Sequence, residues 1–384
     1  MRLIPKPFFL VIMLWVTGLL AGAQFAKVSV LLPEISKIYI DHGDHIAWLL
    51  TLVSIVGAIF GGVAGALANR FGQKPILVAS LSMAGLLSIW QSTYPSFGFM
   101  AGSRILEGVT HLGIVVTAPA LMAQLSTDRW RGATMALWST FFGVSFALFA
   151  WFGIPLVKDV GVRGLFLLHG AGFLSVAIAT YALLPACDDA AVKTQPTKQP
   201  GPISLAQSYK NRAVVWPGLG WLFYTLTFLA LLTILPSQMP DTLRPQMTTT
   251  MSLVGIGVSL TIVPLLLMQL RATTVVMTGF VCAAAVTAFG PAISLFTLSL
   301  LLFATLGLIQ GGTFAAVAEL NPSMSNRTLG YGFLAQTGNI GNLVGTPVML
   351  VILGMSDQNT LLLVTCSIYG VGFLCLMTLA QRLR

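Results

Sequence analysis

Three ionisable residues sit three and four positions apart inside an otherwise apolar stretch: Arg104, Glu107 and His111. At 100° per residue they fall within about 60° of one another, so a helix would carry them as one stripe. A second apolar stretch holds Gln24 and Lys27, again three apart on a single face. A charge in hydrocarbon costs at least about 2.5–3.5 kcal/mol, so each such group needs a partner, water or a task. Two chemistries fit. In one, Lys27 and Arg104 form a cationic rim that draws in an anionic solute, while Glu107 binds and releases a proton. In the other, Arg104 and Glu107 are an ion pair that orients a helix, and Lys27 snorkels toward lipid headgroups. His111 is either a proton relay on this stripe or a hydrogen-bonding group against a neighbouring helix. His169 lacks a charged companion and reads as packing. Glu319 reads as a loop contact, with Arg327 a candidate partner.

The elements that must position these residues are membrane spans. Hydrophobic residues make up 56% of the 384 and charged residues only 8%, against about 25% charged in soluble domains. No soluble core could hide that much apolar surface. Twelve windows approach the roughly 20 apolar residues that cross a bilayer: 8 to 31, 46 to 68, 75 to 94, 97 to 124, 132 to 157, 164 to 185, 213 to 236, 248 to 270, 272 to 290, 293 to 318, 330 to 354 and 359 to 380. The expected fold is an all-α membrane protein with twelve transmembrane helices in two six-helix bundles. Those bundles are residues 1–186 and 213–384, joined by a cytoplasmic linker at 187–212 that contains Pro196, Pro200, Gly201 and Pro202. Fourteen Lys and Arg fall in the segments on one side and four on the other (Lys37, Lys158, Arg163 and Arg244). The excess of basic residues marks the cytoplasmic side and predicts both termini there. The net charge of +9 is therefore topological, and no nucleic acid is expected as a partner.

The second half offers amides in place of charges. Gln310 lies in span ten; Gln336, Asn339, Asn342 and Thr346 lie in span eleven. Such groups either bridge helices or bind a solute's hydroxyls and carboxylates. The four cysteines, Cys187, Cys282, Cys366 and Cys375, have no metal or redox spacing. No cofactor is expected. After Arg2 and Lys6 the apolar run continues at spanning length, so no cleaved leader is expected. The chain has no phosphate-binding loop of the Gly-x4-Gly-Lys-Ser/Thr kind, which excludes transport driven by its own nucleotide hydrolysis. It also has no metal or nucleophile cluster at one depth, which argues against an enzyme.

Between spans two and three stands Gly65-Ala-Leu-Ala-Asn69-Arg70-Phe71-Gly72-Gln73-Lys74-Pro75. Its spacing resembles the loop signature of the major facilitator superfamily, with Asn69 at the position where that family carries an acid. Arg104-Ile-Leu-Glu107-Gly108 resembles the family's Arg-x-x-x-Gly element. Asp128-Arg129-Trp130-Arg131-Gly132 has the family's look in the next loop. The run from Gly338 to Pro347 resembles one in compact bacterial members. Span five lacks the Gly-Pro pair that marks many drug–proton antiporters. The resemblance implies that Gly65, Asn69, Arg70, Gly72 and Lys74 form a cytoplasmic gate loop, uncharged at Asn69. It also implies that spans one and four line a central cavity.

These readings give a secondary transporter that works by alternating access in a bacterial inner membrane, functional as a monomer. Its solute is small, polar and organic. Two intramembrane cations against one acid favour carboxylate-bearing metabolites or chelators such as siderophores, with protons as the coupling ion. The alternative is a proton-driven multidrug efflux pump. The expected pathway residues are Gln24, Lys27, Arg104, Glu107, His111, Gln310, Gln336 and Asn339.

Overall fold

A chain this apolar must satisfy its backbone hydrogen bonds within each segment, and the helix does so. The computed structural model describes residues 7–185, 209–240 and 242–381, and among them every regular element is helical. In order these are α1 (Pro7–Val30), α2 (Leu32–Ile38), a 3₁₀ segment (Ile40–Ala47), α3 (Trp48–Phe71), α4 (Gln73–Gln91), α5 (Phe97–Leu125), α6 (Asp128–Ser139), α7 (Phe141–Leu148), a π-helical turn (Phe149–Gly153) and α8 (Ile154–Leu183). Then follow α9 (Arg212–Ser237), α10 (Arg244–Leu267), α11 (Ala272–Ala288), a 3₁₀ turn (Gly290–Ala292), α12 (Leu295–Leu320), α13 (Met324–Met355) and α14 (Gln358–Gln381). Among the described residues nine helices are long and apolar enough to cross a membrane, and the bent pair formed by α6 with Phe141–Gly153 makes a tenth. Helices α4 and α11, with 19 and 17 residues, hold the third and ninth places. The twelve expected spans are thus all occupied by helix.

Short polar residues start several of these helices by satisfying their first amides. Asn211 Oδ1 accepts from Ala213 N at 3.0 Å, Ser294 Oγ from Thr297 N at 3.1 Å and Ser323 Oγ from Asn326 N at 3.2 Å. Ahead of α14, the Asp357 carboxylate accepts from the Thr360 amide at 2.9 Å and hydroxyl at 2.7 Å. Those bonds hold its carboxyl below the usual carboxylate range.

Span five differs from its expected continuous run over 132–157. It breaks at Thr140 with a bend of 40°. Two successive hydroxyls turn back onto their own helix there, Ser139 onto the Ala136 carbonyl and Thr140 onto the Leu137 carbonyl, both at 2.7 Å. Such back-bonding loosens the regular ladder and bends helices.

The helices group into two compact units. One takes in the chain up to Ser126 and from Phe141 to Lys210; its α4 packs on α5 and α8, and its α1 on α5 and α7. The other takes in Thr127–Thr140 and the chain from Asn211 onward. In it α9 packs along α13, where a Cβ added at Gly345 would overlap the Leu226 carbonyl. Small residues permit that approach, which van der Waals packing rewards in a bilayer. Of the predicted linker at 187–212, positions up to 208 lie outside the described residues. So do Cys187 and Arg2, Lys6, Lys193, Lys198, Arg382 and Arg384, which weigh in the orientation expectation.

Candidate functional site

The charges of the first unit converge on Glu107. Arg104 and Glu107 share a face of α5, and α1 brings Lys27 against them. Lys27 Nζ donates to Glu107 Oε1 at 2.7 Å, and Arg104 Nη1 pairs with Glu107 Oε2. All three side chains are completely buried. Lys27 does not snorkel: its ammonium also donates to Gln91 Oε1 at 2.9 Å and Ser88 Oγ at 3.4 Å, and lies 4.5 Å from the centre of the Phe166 ring. Arg104 and Lys27 make no open rim; both are spent on one carboxylate.

Helix α4 completes the arrangement with residues that sequence reasoning passed over. Gln91 Nε2 donates to Glu107 Oε2 and to Ser103 Oγ, each at 2.9 Å. Arg104 Nε donates to the Leu49 carbonyl at 2.8 Å. Ser88 and Gln91 are three apart in an apolar run, the same spacing that flags Gln24 and Lys27, and that spacing was the available signal. Gln24 Nε2 donates to Thr110 Oγ1 at 3.0 Å. His111 Nδ1 lies 3.2 Å from the Ala21 carbonyl, its ring edge-on to Phe25 at 5.0 Å. His169 packs as expected, with Nε2 3.0 Å from the Leu20 carbonyl and its ring against Phe173.

Burial makes the charge balance consequential. Two cations and one carboxylate leave a net +1, and a buried charge is tolerated only where fully bonded. The site is not fully bonded: Arg104 Nη2 and Gln24 Oε1 are buried with no hydrogen-bond partner. An unused guanidinium nitrogen suits a carboxylate or another oxygen acceptor.

The remaining predicted residues belong to the second unit or to the loop signature. In the second unit, Gln310 accepts from Tyr224 Oη at 3.1 Å and donates to the Ser139 carbonyl at 2.6 Å. Asn339 Nδ2 donates to Ala335 O of its own helix at 2.7 Å, and Gln336 is half-buried on the same helix. In the loop signature, Gly72 adopts φ +89° and ψ 145°, backbone that only glycine enters readily. Asn69 Oδ1 accepts from Gln73 Nε2 at 3.3 Å. Lys74 Nζ donates to the Leu184 carbonyl just past the end of α8, an end that favours cations. Arg70 is exposed beside the Phe71 ring, and Gly65 is buried in α3. The expected Glu319–Arg327 contact is replaced by another. Glu319 accepts from Arg271 Nε at 3.2 Å and from the Ala272 amide at 2.7 Å, while Arg327 Nε donates to the Asn321 carbonyl at 2.8 Å. The first turn of α11 offers free amides and a positive dipole end, so the carboxylate settles there.

The profile of the Major Facilitator Superfamily matches residues 14–346 of the chain. The chain is 24% identical over 184 residues to the 4-hydroxybenzoate transporter PcaK of Pseudomonas aeruginosa, 47% of this chain and 40% of that protein. It is 31% identical over 123 residues to the class C tetracycline resistance protein of Escherichia coli, 30% of this chain and 31% of that one. The chain thus spans less than half the length of these relatives. Among solved structures, the Escherichia coli fucose:proton symporter FucP superposes with a TM-score of 0.80 at 15% identity, over 98% of this chain and 99% of that one, a likeness of fold.

Proposed function

We propose, because the chain belongs to the major facilitator superfamily, that this multi-pass membrane protein is a secondary transporter of a small carboxylate-bearing organic solute, coupled to protons through Glu107. The observation that carries the reading is the buried Lys27–Glu107–Arg104 cluster, net positive and with Arg104 Nη2 unused. A solute carboxylate that takes up the free nitrogen draws Arg104 toward itself. Glu107, left with one cation, then has reason to accept a proton, so anion and proton bind together. Gln24 and His111 border the cluster and would complete the solute's hydrogen bonds. Gln336 and Asn339 are the amides of the second unit that would face the solute's hydroxyls. The two bundles, 1–186 and 213–384, would alternate access, in a bacterial inner membrane with both termini cytoplasmic and one chain as the working unit. A relative that carries 4-hydroxybenzoate, an organic anion, supports the substrate class.

The test is uptake and efflux of labelled organic anions, cations and neutral solutes in vesicles with an imposed pH gradient, comparing the parent with Glu107→Gln. Anion movement that follows the gradient in the parent and ignores it in the variant is the expected result. Gradient-driven movement unchanged in Glu107→Gln would move the coupling group elsewhere. Movement confined to neutral or cationic drugs would favour efflux instead, a reading supported by the tetracycline resistance relative.

A further inference from the structure

Among the described residues, the carboxamide of Gln91 alone bonds both Lys27 and Glu107. Its Oε1 accepts from Lys27 Nζ at 2.9 Å, and its Nε2 donates to Glu107 Oε2 and to Ser103 Oγ, each at 2.9 Å. The neighbours fix its orientation. An ammonium can only donate and a carboxylate can only accept, so the amide oxygen faces Lys27 and the nitrogen faces Glu107. Gln91 is completely buried, and its backbone is held as firmly as its side chain. It closes α4, and the turn that follows is tied down at two points. Ser92 Oγ donates to the Ile89 carbonyl, and Tyr39 Oη donates to the Pro95 carbonyl at 2.8 Å. Further back, Gly85 lets α4 lie against α8, where an added Cβ would meet Leu174 and the Gly170 carbonyl.

The cluster poses a mechanical problem. Arg104 and Glu107 are three apart on one helix, so a solute that draws the guanidinium aside can draw the carboxylate after it. A pair that moved intact would call for no proton. Two anchors from other helices resist that motion: Lys27 on Oε1, and Gln91 on Oε2, the oxygen that Arg104 also holds. We propose that Gln91 is the positioning residue of proton coupling, which keeps the Glu107 carboxyl and the Lys27 ammonium in one frame while Arg104 turns to the solute. Its NH₂ group serves both charge states, because a carboxylate and a carboxylic acid each present an oxygen that accepts. Ser103 gives the same nitrogen a second acceptor, so the amide keeps its register through the change. The inference rests on the proposed function and adds to it the residue that lets the ion pair separate.

Gln91→Met keeps the length of the side chain and removes its hydrogen bonds. Two rates are measured in vesicles with labelled gluconate, citrate and succinate, carboxylates that cross lipid poorly. Exchange at equal pH on both sides reports a folded protein that binds and moves the anion; accumulation under an imposed pH gradient reports coupling. Gln91→Met should keep exchange within about threefold of the parent while the ratio of accumulation to exchange falls at least about tenfold, as expected for a lost hydrogen bond to a charged group. Ser103→Ala, which frees the amide on one side only, should lower the ratio by about threefold. A residue that only supports the fold would lower both rates in step. An unchanged ratio in Gln91→Met, or a fall of both rates together, overturns the proposal; if that variant does not exchange at all, Ser103→Ala decides it by the same ratio. Loss of the gradient response in Glu107→Gln with its retention in Gln91→Met defeats this inference alone. A Glu107→Gln that stays gradient-driven, or a parent that moves none of the three anions, defeats the proposed function and this inference with it.

Discussion

Glu107 is the residue whose loss should cost most, and the geometry says why. At 2.7 Å from Lys27 Nζ the attraction is roughly 6 kcal/mol for an effective dielectric of about 20, and Arg104 contributes a second attraction of that order. Much of this only offsets the desolvation of three charges, so the measurable quantity is the cost of breaking the set, about 3–5 kcal/mol when one partner of a buried pair is removed. Glu107→Gln leaves two cations facing one neutral amide and should lose that full amount. Lys27→Met removes a charge too, yet leaves Arg104 and Glu107 as a neutral pair; its cost should stay near 1–3 kcal/mol, the worth of the acceptors left bare on Gln91 and Ser88. The double variant should then be more stable than the sum of the singles predicts, by at least about 1.5 kcal/mol. Unfolding of purified protein in mixed micelles, followed by tryptophan fluorescence, measures all four corners of the cycle. The reasoning is refuted if Glu107→Gln unfolds within about 0.5 kcal/mol of the parent, below the usual additivity error, or if Lys27→Met proves the worse of the two.

Three further perturbations test the frame around this cluster. Gly345→Ala should destabilise by about 3 kcal/mol, since the new methyl overlaps the Leu226 carbonyl and forces α13 off α9; the same unfolding assay reads it, and a loss below that of an exposed helix substitution would contradict the packing. Gly72→Ala should cost about 1–2 kcal/mol because φ is +89° there; Gly98→Ala, in open space, is the comparison and should be near neutral. Glu319→Gln should cost about 0.5–1 kcal/mol by weakening the anion at the α11 N-terminus, a difference that shrinks in high salt if it is electrostatic.

The twelve helices were legible because lipid enforces one rule on every span: a long apolar run that bonds its own backbone. The pairing of Arg104 with Glu107 was legible for a similar reason, since a three-residue spacing puts both on one helical face whatever surrounds it. Lys27 was only half legible. Its face could be read from Gln24, but whether its ammonium reached headgroups or a carboxylate depended on α1 lying against α5. Ser88, Gln91 and Ser103 escaped because neutral polar residues are common in spans and carry no sign to match. Glu319 was assigned the nearer base in sequence, Arg327, when the fold brings the end of α12 beside the start of α11. The break in span five falls at Ser139 and Thr140, but single hydroxyls turn back in the same way in unbroken helices, as Thr225 and Thr287 do, so the pair alone does not mark a bend.

The α9–α13 seam of the second unit and the Glu107 cluster of the first handle polarity in opposite ways, and packing accounts for it. Where α9 meets α13, Gly341 and Gly345 bring the backbones together and Gly338 makes room for the Trp221 indole, and hydroxyl and amide groups there bond back along their own helix: Thr225 to the Trp221 carbonyl, Asn339 to the Ala335 carbonyl. Such groups hold their partners in any arrangement of the helices, so they bind without switching. Around Glu107 the bonds from Lys27 of α1 and Gln91 of α4 run between helices, beside the Arg104 pair within α5, and a proton or an anion added at one corner must be answered at the others. The proposed coupling of an anion to a proton calls for a region of the second kind. On that argument the energy-coupling step should depend on substitutions in the first unit, and selectivity among solutes on those in the second; a coupling defect that mapped to Asn339 while Glu107→Gln stayed coupled would reverse the assignment.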